Sequence, residues 1–507
     1  MPLPPAATPS TSEEHAMGQR QARGPNRPNV LLIVSDDQRF DTIGALGNPH
    51  IHTPALDGLV RDGFAFERHF CTTPICTPAR AEILTGCDSF RNRVPWFGMP
   101  INPDLTLLPR AFQDAGFHTI HVGKWHNDGH PRDKGYARTR RVFPSDNLND
   151  YRHHGHWMRF REGDGEVAGH STELFTAAAI EEVAAAPADR PWFCYLAYTA
   201  PHDPHDSLPP FDTLYEAGQM PLLPNYMPEH PFDNGVMTIR DELLENWPRT
   251  HEAMRRYRCR YYAIISHLDH CIGRLLGRLR AGGRLDDTVV VFTGDQGLAV
   301  GSHGLLGKEN LYDHSIASPL ILCGPGIPAG GRSRGMSHHM DLFPTLCELA
   351  GVPRPASATG GHSLGPILRG QAERVRDAVL CEFCVPKAKA GPLCHVQRAL
   401  RTERWKLVWY ADCRRFQLFD LERDADELVD LLAPWRRELW HPQAQEGGTL
   451  MWARDRWAPP DHRPRYVAAE TDAVARDLWQ RLLSMMDAMG DPLPAEARPP
   501  CPVPDAG

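Results

Sequence analysis

Short apolar runs that end in acids or turn residues, separated by segments of helical spacing, constrain this chain more than any other feature. NVLLIVSD (29–36) precedes TPALDGLVRDG (53–63), where Thr53 is placed as a helix cap. LLPRAFQDAG reads as a helix, FHTIHVGKW as a strand, TELFTAAAIEEVAAA as a helix and PWFCYLAYTAPH as a strand. A long amphipathic stretch, about 250 to 281, leads into TVVVFTGD (288–295), and PLILCGPG and DLFPTLCELAG continue the alternation. Such alternation predicts an α/β fold: a large, mostly parallel sheet sandwiched by helices. Ligand-binding side chains then gather where the strands end, which is where Asp36, Asp37, Lys124, His202 and Asp295 fall.

The pattern changes after residue 370. RALRTERWKLVWY and FQLFDLERDADELVDL read as a strand pair, an acidic turn and a helix start, so a smaller C-terminal α+β domain is expected over 371–490, after a catalytic-size α/β domain over 28–370. Residues 1–27, rich in Pro and Ala without an apolar core, read as a disordered leader, and 491–507 as a disordered tail. With no run long enough to span a bilayer and a net charge of −8, neither a membrane nor a nucleic acid is the expected partner. The 13 cysteines form no regular framework, which suits a reducing compartment, and a cytoplasmic location is expected. Cys381, Cys384 and Cys394 beside His395 have the residue types for zinc, but VLCEFCV reads first as a buried strand whose thiols simply pack.

The strand-end residues carry the chemistry. Asp36 and Asp37 after one buried strand, and Asp295 and Gln296 after another, offer an all-oxygen donor set suited to Ca2+, with Mg2+ or Mn2+ as alternatives. Either pair alone reads first as a solvated turn or a helix cap, and it is the two together, with the cysteine motif, that point to a metal. Lys124 and His126 in GKWH, His202 in APHDPH and Lys308 in GKEN are cations or proton carriers in turns, a set able to hold a tetrahedral anion and protonate a leaving group. CTPAR (76–80), placed just before a helix-like AEILTG, puts Cys76 in what reads as a water-accessible turn at a helix mouth.

CTPAR followed by AEILTG resembles the signature of the sulfatase family, in the alkaline-phosphatase-like superfamily. GFHTIHVGKWH resembles the family's second signature, and VSDDQ, TAPHDPH, TGDQG and GKENLY match its other site segments in order, from about Pro28 to near residue 431. The resemblance implies a small domain with a short antiparallel sheet. It implies that a formylglycine-generating maturation enzyme oxidises Cys76 to formylglycine (3-oxoalanine), whose hydrate supplies the nucleophile. Asp36, Asp37, Asp295 and Gln296 would hold a divalent cation that also contacts that residue. Arg80 would hydrogen-bond the hydrate, Lys124 and Lys308 would grip the sulfate, His202 with Lys308 would protonate the leaving alcohol, and His126 would help expel sulfate. The implied activity is hydrolysis of a sulfate ester, either a sulfated sugar or a small alkyl or aryl sulfate. The alternatives are a phosphonate or phosphodiester monoester hydrolase using the same site, or a non-catalytic binder of sulfated ligands.

Two positions depart from the pattern: Ala79 where serine is commoner, and Gln296 where Asn or His is usual. Specificity is expected in rim loops, here 148–165 and 433–457. The second carries Trp435, Trp440, Trp452 and Trp457 beside Arg436, Arg437, Arg454 and Arg456, fit for a glycan but equally for burial or for contact within a homo-oligomer.

Overall fold

The computed structural model describes residues 27–149, 155–386, 393–433 and 468–503. The leader and the Trp-rich stretch lie almost wholly outside them. The strands are β1 (Asn29–Ser35), β2 (Phe64–Phe70), β3 (His118–Lys124), β4 (Arg138–Phe143), β5 (Trp157–Glu162), β6 (Gly165–His170), β7 (Trp192–Ala197), β8 (Thr288–Gly294), β9 (Ala317–Cys323), β10 (Gly331–Ser333), β11 (Ser337–His338), β12 (Ala378–Pro386), β13 (Leu393–Thr402), β14 (Trp405–Tyr410) and β15 (Arg415–Asp420).

Nine strands make the large sheet in the order β10-β2-β9-β8-β1-β7-β3-β4, with β11 also on β2. β1 sits at its centre, parallel to both β7 and β8, and every residue of β1 is buried. A strand covered on both faces has no use for polar alternation, hence NVLLIVS. Val30, Leu32 and Val34 face the helices Cys76–Thr85, Leu108–Asp114 and His339–Ala350, while Leu31 and Ile33 face Pro54–Asp62, Ser171–Ala184 and His251–Ala281. The sheet is mostly parallel, as the alternation predicts, but PLILCGPG forms β9, antiparallel to both β2 and β8. Its apolar content says only that it is buried.

Three local expectations differ from the structure. Thr53 precedes the helix Pro54–Asp62 but makes no cap bond; its hydroxyl accepts from the Gly44 N–H and donates to Asp57 instead. The segment after FQLFD continues as turns and not as a helix start. The expected disordered tail is ordered to residue 503: Asp491 pairs with Arg398, and Val503 is buried.

β12–β15 form an antiparallel four-stranded sheet. Strand alternation splits its side chains: Val379, Cys381, Phe383, Val408 and Phe419 pack on Phe70, Ile75, Ala79 and Tyr312 of the large domain. Leu380, Leu400, Leu407, Trp409 and Leu418 pack on the helix Ala468–Met489 through Leu478, Trp479 and Leu482. The Cys381 thiol donates to the Cys71 carbonyl and the Cys394 thiol to that of Val385, so these two thiols are spent separately. Of the rim stretch 148–165, the described part builds the β5–β6 hairpin.

Candidate active site

β1, β3, β7 and β8 run parallel, so Asp36, Lys124, the Thr199–His202 turn and Asp295 all emerge at one edge of the sheet. β2 reaches the same edge through two antiparallel steps, and the loop after it leads to Cys76. That loop is held from below: the Glu82 carboxylate accepts from the N–H groups of Thr72 and Thr73 at 3.0 and 3.1 Å, and Glu382 of β12 accepts from the Thr73 hydroxyl at 2.6 Å.

The helix begins at Cys76 itself, not at Ala81, and takes in the whole of CTPARAEILT. Pro78 is tolerated because it lies in the first turn, where backbone N–H groups have no partner inside the helix. The thiol is 1% exposed, not water-accessible as the polar flanks suggest. Acids and cations that would be solvated singly are here packed around it in pairs. Cys76 Sγ lies 3.3 Å from Asp36 Oδ1, 4.0 Å from Asp37 Oδ1 and 3.2 Å from Gln296 Nε2. Burial and the neighbouring Asp36 push the thiol well above its ordinary range, so the neutral thiol is the resting form.

Around it the charges interlock. Lys124 Nζ donates to Asp36 Oδ2, and Lys308 Nζ donates to Asp37 Oδ2 at 2.7 Å. Arg80, one turn along the helix from Cys76, binds Asp295 Oδ2 through Nε at 2.9 Å and lies 3.8 Å from Asp36. It thus supports the acids directly. The other oxygen of Asp295 accepts from the N–H groups of Asp37 and Gln296 at 3.0 and 2.9 Å. Burial would raise the Asp36 carboxyl, but Lys124, His202, Arg80 and Lys308 together hold it well below the ordinary value. Asp295 is pushed up to about 7 by burial and by Asp36. Asp37 has φ 63°, a conformation L-residues seldom adopt, and the Tyr261 hydroxyl holds its carbonyl at 2.6 Å. His202 Nε2 lies 3.7 Å from Asp37 Oδ2. His126 borders this cluster, its ring 5.4 Å from that of Phe97, and its pKa is held well below the ordinary value by burial and then by Lys124.

The donor set fits a hard divalent cation. Ligand atoms of Asp36, Cys76 and Asp295 lie within 4.8 Å of one another, and Asp37 and Gln296 join them by contact. Gln296 Oε1 is buried without a hydrogen-bond partner, and a half-turn of the amide presents it as a fourth oxygen donor. A second group of ligand-type side chains, Glu173, His267 and Cys271, lies elsewhere, but the carboxylate already accepts from both partners and pairs with Arg274.

Sequence reasoning missed Asp203, Arg240, Asp241 and Glu309. Asp241 Oδ2 lies 3.5 Å from Lys308 Nζ, and the Glu309 carboxylate accepts from the Lys308 backbone N–H. Asp203 stands inside the APHDPH segment and was legible there; the Arg240-Asp241 pair sits in a turn-rich segment with no pattern to single it out.

Comparison with known proteins bears on this arrangement. A family model described as Sulfatase matches residues 28–352, and one described as N-sulphoglucosamine sulphohydrolase, C-terminal, matches residues 301–439. The chain is 29% identical over 504 residues to a choline-sulfatase of Rhizobium meliloti, covering 88% of this chain and 95% of that one. Among solved structures, one bound to D-glucosamine-2-N,6-O-disulfate superposes with a TM-score of 0.70 at 22% identity, covering 92% and 98% of the two chains. A phosphonate monoester hydrolase of Agrobacterium radiobacter superposes at 0.69 with 24% identity, covering 85% and 96%. At these identities the two structures speak to the fold alone.

Proposed function

The chain belongs to the sulfatase family of sulfate-ester hydrolases, and we propose that it performs this reaction at position 76, after conversion of the cysteine to formylglycine. The observation that carries the reading is the convergence on Cys76 Sγ of Asp36 and Asp37 from the end of β1 and Gln296 from the end of β8, with a lysine on each of the two acids. A sulfur buried against the carboxylates of Asp36 and Asp37 is a poor place for a thiolate nucleophile.

Asp36, Asp37, Asp295 and Gln296 would hold a divalent cation, Ca2+ by donor chemistry, which would lower the pKa of the attacking hydroxyl and screen an anionic substrate. Lys124 and Lys308, both with pKa held above the ordinary value by carboxylates that outweigh burial, stay charged and grip the ester's sulfate oxygens. The start of the helix Cys76–Thr85 adds unpaired N–H groups on the same side. Arg80 fixes Asp295, and through it the N–H groups of Asp37 and Gln296, so the acids cannot swing away. His202, with Lys308 beside it, supplies the proton to the departing alcohol. His126, at the border of the cluster, is the base for release of sulfate.

The test is mass spectrometry of the His69–Arg80 peptide from protein made together with a formylglycine-generating enzyme, followed by paired rates on an aryl sulfate and an aryl phosphonate monoester. An aldehyde at position 76 with faster sulfate turnover is expected, and Cys76→Ala is expected to remove it. An aldehyde with faster phosphonate turnover, or with none on either ester, overturns the reading.

A further inference from the structure

The residue after His202 makes contacts that the scheme above leaves unused. Asp203 is buried, and its carboxylate lies between an imidazole and a guanidinium: Oδ1 is 3.2 Å from His202 Nδ1 and 3.2 Å from Arg240 Nη1, while Arg240 Nη2 donates to Oδ2. Arg240 is also tied to Asp241 at 2.7 Å, so its own charge is answered without the ring. The backbone enforces the same orientation: His202 Nδ1 is 2.8 Å from the Asp203 carbonyl, and the His202 N–H donates to the Thr199 carbonyl at 3.0 Å. With two acceptors at Nδ1, the ring carries a proton there and turns Nε2 toward Asp37 and the cluster.

We propose, resting on the sulfatase reading, that Asp203 is the positioning residue for His202, fixing its tautomer and aim while Arg240 holds the Asp203 rotamer. The imidazolium Nε2–H then passes its proton to the ester oxygen as the S–O bond breaks, leaving neutral His202 protonated at Nδ1. Asp203 stabilises the charged ring before transfer and never touches the substrate. A carboxylate that orients a proton-donating imidazole in this way matters most when the leaving group is a poor one, because such a group needs its proton early.

The experiment compares kcat and KM of matured wild type, Asp203→Asn and Arg240→Leu over aryl sulfates of rising leaving-group pKa, extended to an alkyl sulfate. For Asp203→Asn, kcat is expected to fall about 100-fold on the alkyl sulfate and less than about 10-fold on a nitrophenyl sulfate, with KM little changed. Arg240→Leu, at a half-exposed residue, is expected to show the same trend with a smaller slope, and it carries the test if Asp203→Asn does not fold. Loss that is equal across the series, or absent, in an active enzyme overturns the inference alone. A matured wild type that turns over none of the esters overturns the sulfatase reading and this inference with it.

Discussion

Replacing Asp491 by alanine is expected to destabilise the C-terminal unit far more than its position beside the chain end suggests. Asp491 follows the helix Ala468–Met489 and forks onto Arg398 of β13, with Nε–Oδ2 at 2.6 Å and Nη2–Oδ1 at 3.0 Å; both side chains are fully buried. Without it, the guanidinium keeps, among the described residues, Glu382 at 3.5 Å, the carbonyls of Phe383 and Gln397 and the face of the Phe90 ring. Breaking a buried pair from one side costs about 3–5 kcal/mol, because the remaining charge has lost its compensation and stays out of water. Against a typical total of about 5–15 kcal/mol, that is a large share. Denaturant unfolding followed by tryptophan fluorescence reads it directly, since Trp409 and Trp479 share the neighbouring core. Removing both charges, as Arg398→Met with Asp491→Leu, is expected to restore most of the loss. A cost below about 1 kcal/mol for Asp491→Ala, or a double variant no more stable than the single one, would refute the argument.

Chelation with EDTA is expected to abolish turnover and lower Tm, with Ca2+ restoring both; a cation at 100 times its Kd would add about 2.7 kcal/mol, and an unchanged Tm and rate would contradict the donor assignment. Asp269 accepts from the N–H groups of Ala55 and Leu56, yet burial outweighs them and raises its carboxyl from 3.8 to about 7. The folded state therefore binds a proton that the unfolded chain has released, and this contribution falls as pH rises from about 4 to 7. Asp269→Asn lacks that slope, so its stability relative to wild type is expected to rise by about 1.4 kcal/mol per pH unit across this window, measured by unfolding at stepped pH. Trp479 meets Trp409 edge-on at 5.5 Å and Phe416 at 5.1 Å, and Trp479→Ala is expected to cost about 3–5 kcal/mol in the same unfolding assay.

What the sequence made legible were features that repeat or end abruptly. The fully buried strands of NVLLIVSD and TVVVFTGD, and the acids closing them, follow from the need to cover both sheet faces and from the gathering of ligands at strand ends. Strand direction is not written in composition: PLILCGPG would read the same parallel or antiparallel, and only the pairing of β9 with β2 and β8 decides it. Cap chemistry misled at Thr53, whose hydroxyl found Asp57 and the Gly44 N–H as tertiary partners. The accessibility of Cys76 was misjudged because polar flanks suggest water, whereas here Thr72 and Thr73 donate to Glu82 and Glu382 and the site acids pair with Arg80, Lys124 and Lys308 inside the protein. Arg240 and Asp241 escaped notice because their roles exist only once a distant loop lies beside His202 and Lys308.

The tie from Thr73 to Glu382 spans 309 residues of chain. During synthesis at about 5–20 residues per second, the loop before Cys76 waits roughly 15–60 s for its last support to emerge. Throughout that interval the loop has Glu82 but not yet Glu382 beneath it, and the small sheet has yet to pack on Ile75 and Ala79, so the firmness of the turn that carries Cys76 is set by a clock of translation. Slowing translation beyond codon 370 would lengthen that wait without altering a single residue of the site.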